Sequence, residues 1–199
     1  MTLKYLMAAA MAAATLCGSA RQLPEPQTTG GKPLMETIAE RHSSRDIDPA
    51  SQVTSQELSN MLWAAWGITH DGGKRTVATA LNRQELKLYV ITAGEIELYD
   101  AASNSLATVA TGDYRHLAGK QDFAKGAPVN IAFVADGAKQ DRAEFQAYAT
   151  GAASQDVYLY CAQAGLKTVV RASFDADALG KAMKLGPSER VLLVQTVGR

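Results

Sequence analysis

The densest group of residues able to do chemistry is Arg41-His42-Ser43-Ser44-Arg45, which sets two guanidiniums, an imidazole and two hydroxyls within five residues. Guanidinium forks match phosphate oxygens two at a time, so the cluster suits a phosphate-bearing ligand; an ordinary solvated turn has the same composition. A second group runs from Lys74-Arg75-Thr76 to Asn82-Arg83-Gln84, just ahead of a β-prone run starting at Leu86. Carboxamides at a strand entrance can exchange hydrogen bonds with the edge of a heterocycle, though Asn is equally common as a plain turn residue. In the third, Thr168-Val169-Val170-Arg171-Ala172-Ser173, small residues follow a strand and let a ligand approach the backbone, or simply pack.

Other chemistries lack their residues. Ser43, Ser44 and Ser154 have no Gly-x-Ser-x-Gly context, and neither Gly72-Gly73 nor Gly151-Ala152-Ala153 makes a dinucleotide or P-loop pattern. No Cys-x-x-Cys or His-x-x-x-His spacing exists, so a metal site has no framework. His70 and His116 stand alone and read as surface residues. Cys161, between Tyr160 and Ala162, reads as a small buried hydrophobe. Twenty basic residues balance twenty acidic ones, which leaves no global field for a nucleic acid or an anionic membrane.

The elements that must position these groups alternate between helix and strand. Residues 34–41 suit a short helix that delivers the first cluster at its end. Thr54-Ser55-Gln56-Glu57 has capping-box spacing ahead of Leu58, Met61, Leu62, Ala65 and Trp66, and Gly67 closes that helix. Runs at 86–93, 96–99 and 105–110 read as a meander, and the nearly continuous apolar run 129–135 as a central strand covered on both faces. A long helix over 139–164 ends at Gly165. A strand near 167–171, a helix near 175–185 and a strand near 190–197 follow. In a chain of 199 residues, 47% hydrophobic, this predicts one α+β domain with a central sheet and flanking helices.

The amino end has a different logic. Lys4, the apolar run from Tyr5 to Leu16 and the small residues Gly18-Ser19-Ala20 have the order of a secretory signal peptide over residues 1–20, too short to span a bilayer. Cleavage would make Arg21 the amino terminus and send the protein to the periplasm; lipidation at Cys17 is the rival, against which stands the large Leu16. Residues 21–33, with three prolines and two glycines, are expected as an extended leader, and residues 34–199 as the domain.

In this order the segments resemble the FMN-dependent nitroreductase-like family, over residues 33–198. Arg41 to Arg45 is similar to the family's amino-terminal motif, Ala78 to Gln84 to its Pro-Ser-x-x-Asn-x-Gln stretch, and Gly165-Leu166 with Thr168 to Arg171 to its Gly-Leu-Gly-Thr-Val stretch. The compact length, the Trp63-to-Gly67 helix end and the hairpin at 86–99 look closest to the azoline-dehydrogenase branch. The departures are Ala78-Thr79 for Pro-Ser, Ala172 where relatives place Gly or an acidic residue, and a chain stopping at Arg199. The resemblance implies a homodimer with a mixed or antiparallel sheet and one FMN in each of two interfacial pockets. It implies Arg41, His42, Ser43 and Arg45 at the phosphate and pyrimidine side, Asn82 at the ring edge with Gln84 supporting its loop, Val170, Arg171 and Ala172 lining the ring, and Arg199 at the phosphate. It implies two-electron chemistry carried by the flavin without a catalytic side chain, with NAD(P)H or an envelope reductant as donor and a small acceptor such as a nitroaromatic or quinone; a non-catalytic flavin carrier is the alternative. The apolar face from Val157 to Ala164, with Trp63 and Trp66, is the expected dimer surface.

Overall fold

The computed structural model describes residues 20–70 and 72–199. The signal segment, except Ala20, and the Cys17 alternative lie outside the described residues, as does the side chain of His70. Nine strands and six α-helices are described: β1 (Ala20–Gln22), α1 (Leu34–Glu40), α2 (Ser55–Trp66), β2 (Ile68–His70), β3 (Lys74–Arg75), β4 (Leu86–Ile91), β5 (Glu95–Asp100), β6 (Ser105–Thr111), α3 (Arg115–Ala118), α4 (Asp122–Gly126), β7 (Val129–Asp136), α5 (Ala143–Ala164), β8 (Lys167–Arg171), α6 (Ala176–Ala182) and β9 (Glu189–Gly198).

Seven strands form one sheet in the order β1-β6-β5-β4-β7-β9-β8, every pair antiparallel. The apolar run of β7 is central, as its composition predicts, because its side chains are buried alternately in two layers. Ile131, Phe133 and Ala135 pack toward α2 and α5; Ala132 and Val134 pack with Leu179 and Met183 of the α6 side. Helix α2 starts where the sequence indicates: Thr54 Oγ1 accepts from Glu57 N at 3.2 Å, and Glu57 accepts from Thr54 N at 2.8 Å. Helix α5 ends at Gly165, whose φ of 68° is left-handed and lets Leu166 N return to Cys161 O at 2.8 Å, turning the chain into β8.

The leader is extended but belongs to the folded body. Ala20 to Gln22 pair with Ser105 to Ala107 of β6 as an edge strand, and Arg21 donates to the buried Glu97 carboxylate at 2.7 and 3.1 Å. Leu23 is buried in the main core. Residues 24–32 then form a strap across α2 and α5: Pro24 O accepts from Ser59 Oγ, Glu25 O from Gln56 Nε2, and Gln27 N donates to Asn60 Oδ1 at 2.8 Å. Gly31, whose φ of 89° is a conformation that favours glycine, lies against the Gln163 side chain of α5.

Part of the expected apolar dimer surface is used inside the chain, while Trp63, Leu159 and Tyr160 stay partly exposed. Val157, Tyr158, Cys161 and Trp66 are buried in their own core, and α2 packs closely on α5. Exposed large hydrophobics lie elsewhere, at Leu34, Met35 and Ile38 of α1 and at Leu81 and Tyr148.

Candidate functional site

Helix α1 ends at Glu40, and the 41–45 segment leaves it as irregular chain running beside β8, with Ser44 N bonded to Thr168 O at 2.9 Å. Tyr158 of α5 ties the two segments together. Its Oη lies 2.7 Å from Ser43 Oγ and accepts from Val170 N at 2.9 Å, while the Arg41 guanidinium sits 5.3 Å above its ring. His42 donates from Nδ1 to Glu40 O at 2.8 Å, which leaves Nε2 free to face a ligand. Among the described residues neither Arg41 nor Arg45 has an ion-pair partner. The carboxyl terminus joins this group: Asp48 N bonds Arg199 O at 2.6 Å, and Arg199 pairs with Glu57 and bonds Gln52 O. The structure therefore brings the first and third sequence clusters and Arg199 to one end of the sheet.

Asn82 and Gln84 lie elsewhere. Gln84 accepts from Arg75 Nε at 3.0 Å and donates to Gly73 O and to Asn82 Oδ1, while Arg75 reaches Trp66 O at the last turn of α2. Gln84 thus supports the Asn82 loop. Leu81, Asn82 and Gln84 all have φ near +50°, a region non-glycine residues avoid, so this loop is held against its backbone preference with Asn82 exposed. The nine residues from Glu57, which pairs Arg199, to Trp66 put about 14 Å of helix between the two groups at 1.5 Å per residue. Among the described residues no hydrogen bond or ion pair joins the two groups.

Arg171 is also displaced from its expected place. Its guanidinium is buried in the opposite layer, donating to Ala118 O at 3.0 Å, Asn130 Oδ1 at 3.0 Å and Thr196 Oγ1, with Nε unpartnered and Phe123 stacked at 5.7 Å. Burial pushes it down to about 10. Strand alternation explains the difference: Val170 faces the 41–45 side, so the next side chain must point to the other face. The Val170 backbone remains beside the cluster through its bond to Tyr158. Cys161 is fully buried and burial pushes its thiol up to about 12, which leaves it inert as the sequence suggests. No grouping of metal-ligating side chains is found, and no helix is long and apolar enough to cross a membrane, among the described residues.

The donor set fits a flavin mononucleotide: two unpaired guanidiniums, a free imidazole nitrogen and Arg199 suit a dianionic phosphate, and an exposed carboxamide suits a ring edge. Sequence reasoning missed Tyr158, whose phenol hides in an apolar helical run, and a cavity that lies under the strap away from these residues.

An antiparallel α+β sheet carrying this arginine-rich, carboxamide-bearing donor set is the frame of a flavin oxidoreductase. Comparison with known proteins agrees: residues 38–199 match the Nitroreductase family, and the chain belongs to that family. A nitroreductase-class structure from Ralstonia eutropha JMP134 is similar at 36% identity with a TM-score of 0.83, covering 90% of this chain and 89% of that one. A nitroreductase-class protein of Methanocaldococcus jannaschii is 27% identical over 182 residues, 83% of this chain and 90% of the relative. A Desulfovibrio desulfuricans nitroreductase structure in complex with FMN shares the fold, at 21% identity and a TM-score of 0.63, covering 85% and 87%.

Proposed function

We propose that the chain is an exported FMN-dependent oxidoreductase that works as a homodimer, passing two electrons from NAD(P)H or an envelope reductant to a small acceptor such as a nitroaromatic or quinone. The observation that carries this is the pair Arg41 and Arg45, cations with no carboxylate partner among the described residues, on a segment fastened to β8 through Ser43, Tyr158 and Val170. Arg41, Arg45, Arg199 and His42 Nε2 hold the phosphate; Ser43 and the backbone from Val170 to Ala172 border the ring; Asn82 meets its polar edge with Gln84 behind it. When bound, FMN supplies the two-electron transfer between donor and acceptor. The chain's own part is to bind, orient and exclude water, because the cluster presents no buried acid or activated nucleophile.

The separation of Asn82 from the arginines supports a site completed by a second copy, whose Asn82 loop would reach across. Exposed Leu34, Met35, Ile38 and Leu81 supply apolar surface for that contact. Export rests on the amino-terminal sequence pattern. Placement in the azoline-dehydrogenase branch rests on the compact length and on the Trp63-to-Gly67 helix end.

The test is direct. Purified protein should show flavin absorbance, FMN should bind much more tightly than riboflavin, and Arg41→Ala or Arg45→Ala should weaken FMN by about 1.5–3 kcal/mol while leaving riboflavin unchanged. Equal affinity for the two flavins removes the arginines from the phosphate role. In anaerobic stopped-flow, a quinone should reoxidise dithionite-reduced protein faster than a buffer control; failure with every acceptor leaves a flavin carrier. Sedimentation should give twice the chain mass.

A further inference from the structure

The strap formed by residues 24–32 roofs a cavity of about 510 Å³ between α1, α2 and α5. None of the candidate flavin residues lines it. Trp63, Leu159 and Tyr160 supply flat and apolar wall, while Asp156, Thr76 and Gln163 supply oxygen acceptors. Two of those acceptors have no protein partner among the described residues. Asp156 has no hydrogen bond or ion pair among the described residues, and Thr76 Oγ1 is buried without a partner.

We propose that this cavity binds a small organic cation, a protonated amine carried on a flat apolar body, with Asp156 as its counter-ion. A partly buried carboxylate without a partner gains an ion pair when an ammonium arrives beside it, and the ammonium's other donors face the Gln163 carboxamide oxygen on the same wall. A flat body then stacks on Trp63 and Tyr160, where an aromatic face also attracts the positive end. Burial alone pushes the Asp156 carboxyl up to about 6. The nearest strap cation, Lys32, is paired with Glu40 and does not fill the role. The strap makes the site: its Asn60 and Gln56 anchors fix the roof, and Gly31 brings it against Gln163.

The site uses none of the residues assigned to flavin, so the two readings fail separately. Isothermal titration of the intact protein with 2-phenylethylamine should give saturable one-to-one binding, and the uncharged 2-phenylethanol should bind at least tenfold more weakly. Asp156→Asn should lower amine affinity at least tenfold without changing that for the alcohol. Arg41→Ala should leave amine binding intact. Equal affinity for amine and alcohol, undiminished binding to Asp156→Asn, loss in Arg41→Ala, or no saturable heat would each overturn the proposal.

Discussion

Ser43 Oγ lies 2.7 Å from Tyr158 Oη, and the same phenol oxygen accepts Val170 N–H at 2.9 Å. One hydroxyl thus joins three segments far apart in sequence: the loop after α1, the middle of α5 and the end of β8. Because the phenol accepts from the amide, its own proton is available to Ser43, which fixes where the serine oxygen sits. The cluster is positioned by the core helix rather than by its own loop.

Tyr158→Phe keeps the ring under Arg41 but strands the Val170 N–H. The cost of an unsatisfied buried donor is about 1–3 kcal/mol, which at this chain length lowers Tm by about 2–4 °C per kcal/mol. FMN affinity should fall as well, since Ser43 loses its anchor. Ser43→Ala should weaken FMN with a smaller change in melting. Thermal melts paired with flavin-fluorescence titrations check both; unchanged melting for Tyr158→Phe would mean that the phenol does not hold β8.

Arg171 separates structure from binding. Replacing it with Met leaves Ala118 O without its donor and removes the guanidinium from Asn130 Oδ1, inside a layer where no solvent replaces it. Arg171→Met should cost about 2–4 kcal/mol of stability, seen as a lower denaturant midpoint, while the FMN dissociation constant stays within about twofold. A large loss of flavin affinity with unchanged stability would return Arg171 to the ring.

Much of this fold was legible because its local signals agree with its packing. The Thr54–Glu57 capping box, the left-handed Gly165 and the two-sided apolar run of β7 each mark an element that the structure contains. The short helices α3 and α4 and the two-residue β3 carry too few residues for a periodic signal. β1 was hidden for another reason: three residues beside a signal-like segment become a strand only because β6 offers an unpaired edge. The site divides the same way. Residue types announced Arg41, Arg45 and Asn82, but only the fold reveals that Asn82 stands apart from them, that Arg171 points into the core, and that the leader roofs a cavity.

The leader's attachment should be measurable. Glu97 is 1% exposed, and Arg21 is its ion-pair partner from an edge strand. Arg21→Ala leaves that carboxylate without its guanidinium and should destabilise the protein by about 1–3 kcal/mol, while the pair Arg21→Met with Glu97→Leu should recover much of the loss. If signal cleavage leaves Arg21 as the first residue, the same contact clamps the new terminus to β5. Chemical denaturation of the single and double variants decides; an Arg21→Ala chain as stable as wild type would make the strand an ornament of the edge.

The pH dependence of stability should carry the signature of Asp156, with a sign opposite to that of a salt-bridged carboxylate. Burial raises its folded-state value from 3.8 to about 6. Between those values the folded chain holds a proton that the unfolded chain releases, so stability falls as pH rises through this window; the penalty is absent below it and fully present above it. Two units correspond to about 3 kcal/mol, which partial exposure to solvent reduces to about 1–2 kcal/mol. Asp156→Asn removes the titrating group and should therefore raise Tm by about 3–6 °C at pH 7.5, with almost no effect at pH 4. Melting curves of both proteins from pH 4 to pH 8 should diverge between pH 4 and pH 6 and run parallel above. Curves that stay parallel throughout would show Asp156 to be solvated as in the unfolded chain, and would remove the desolvated carboxylate from the cavity under the strap.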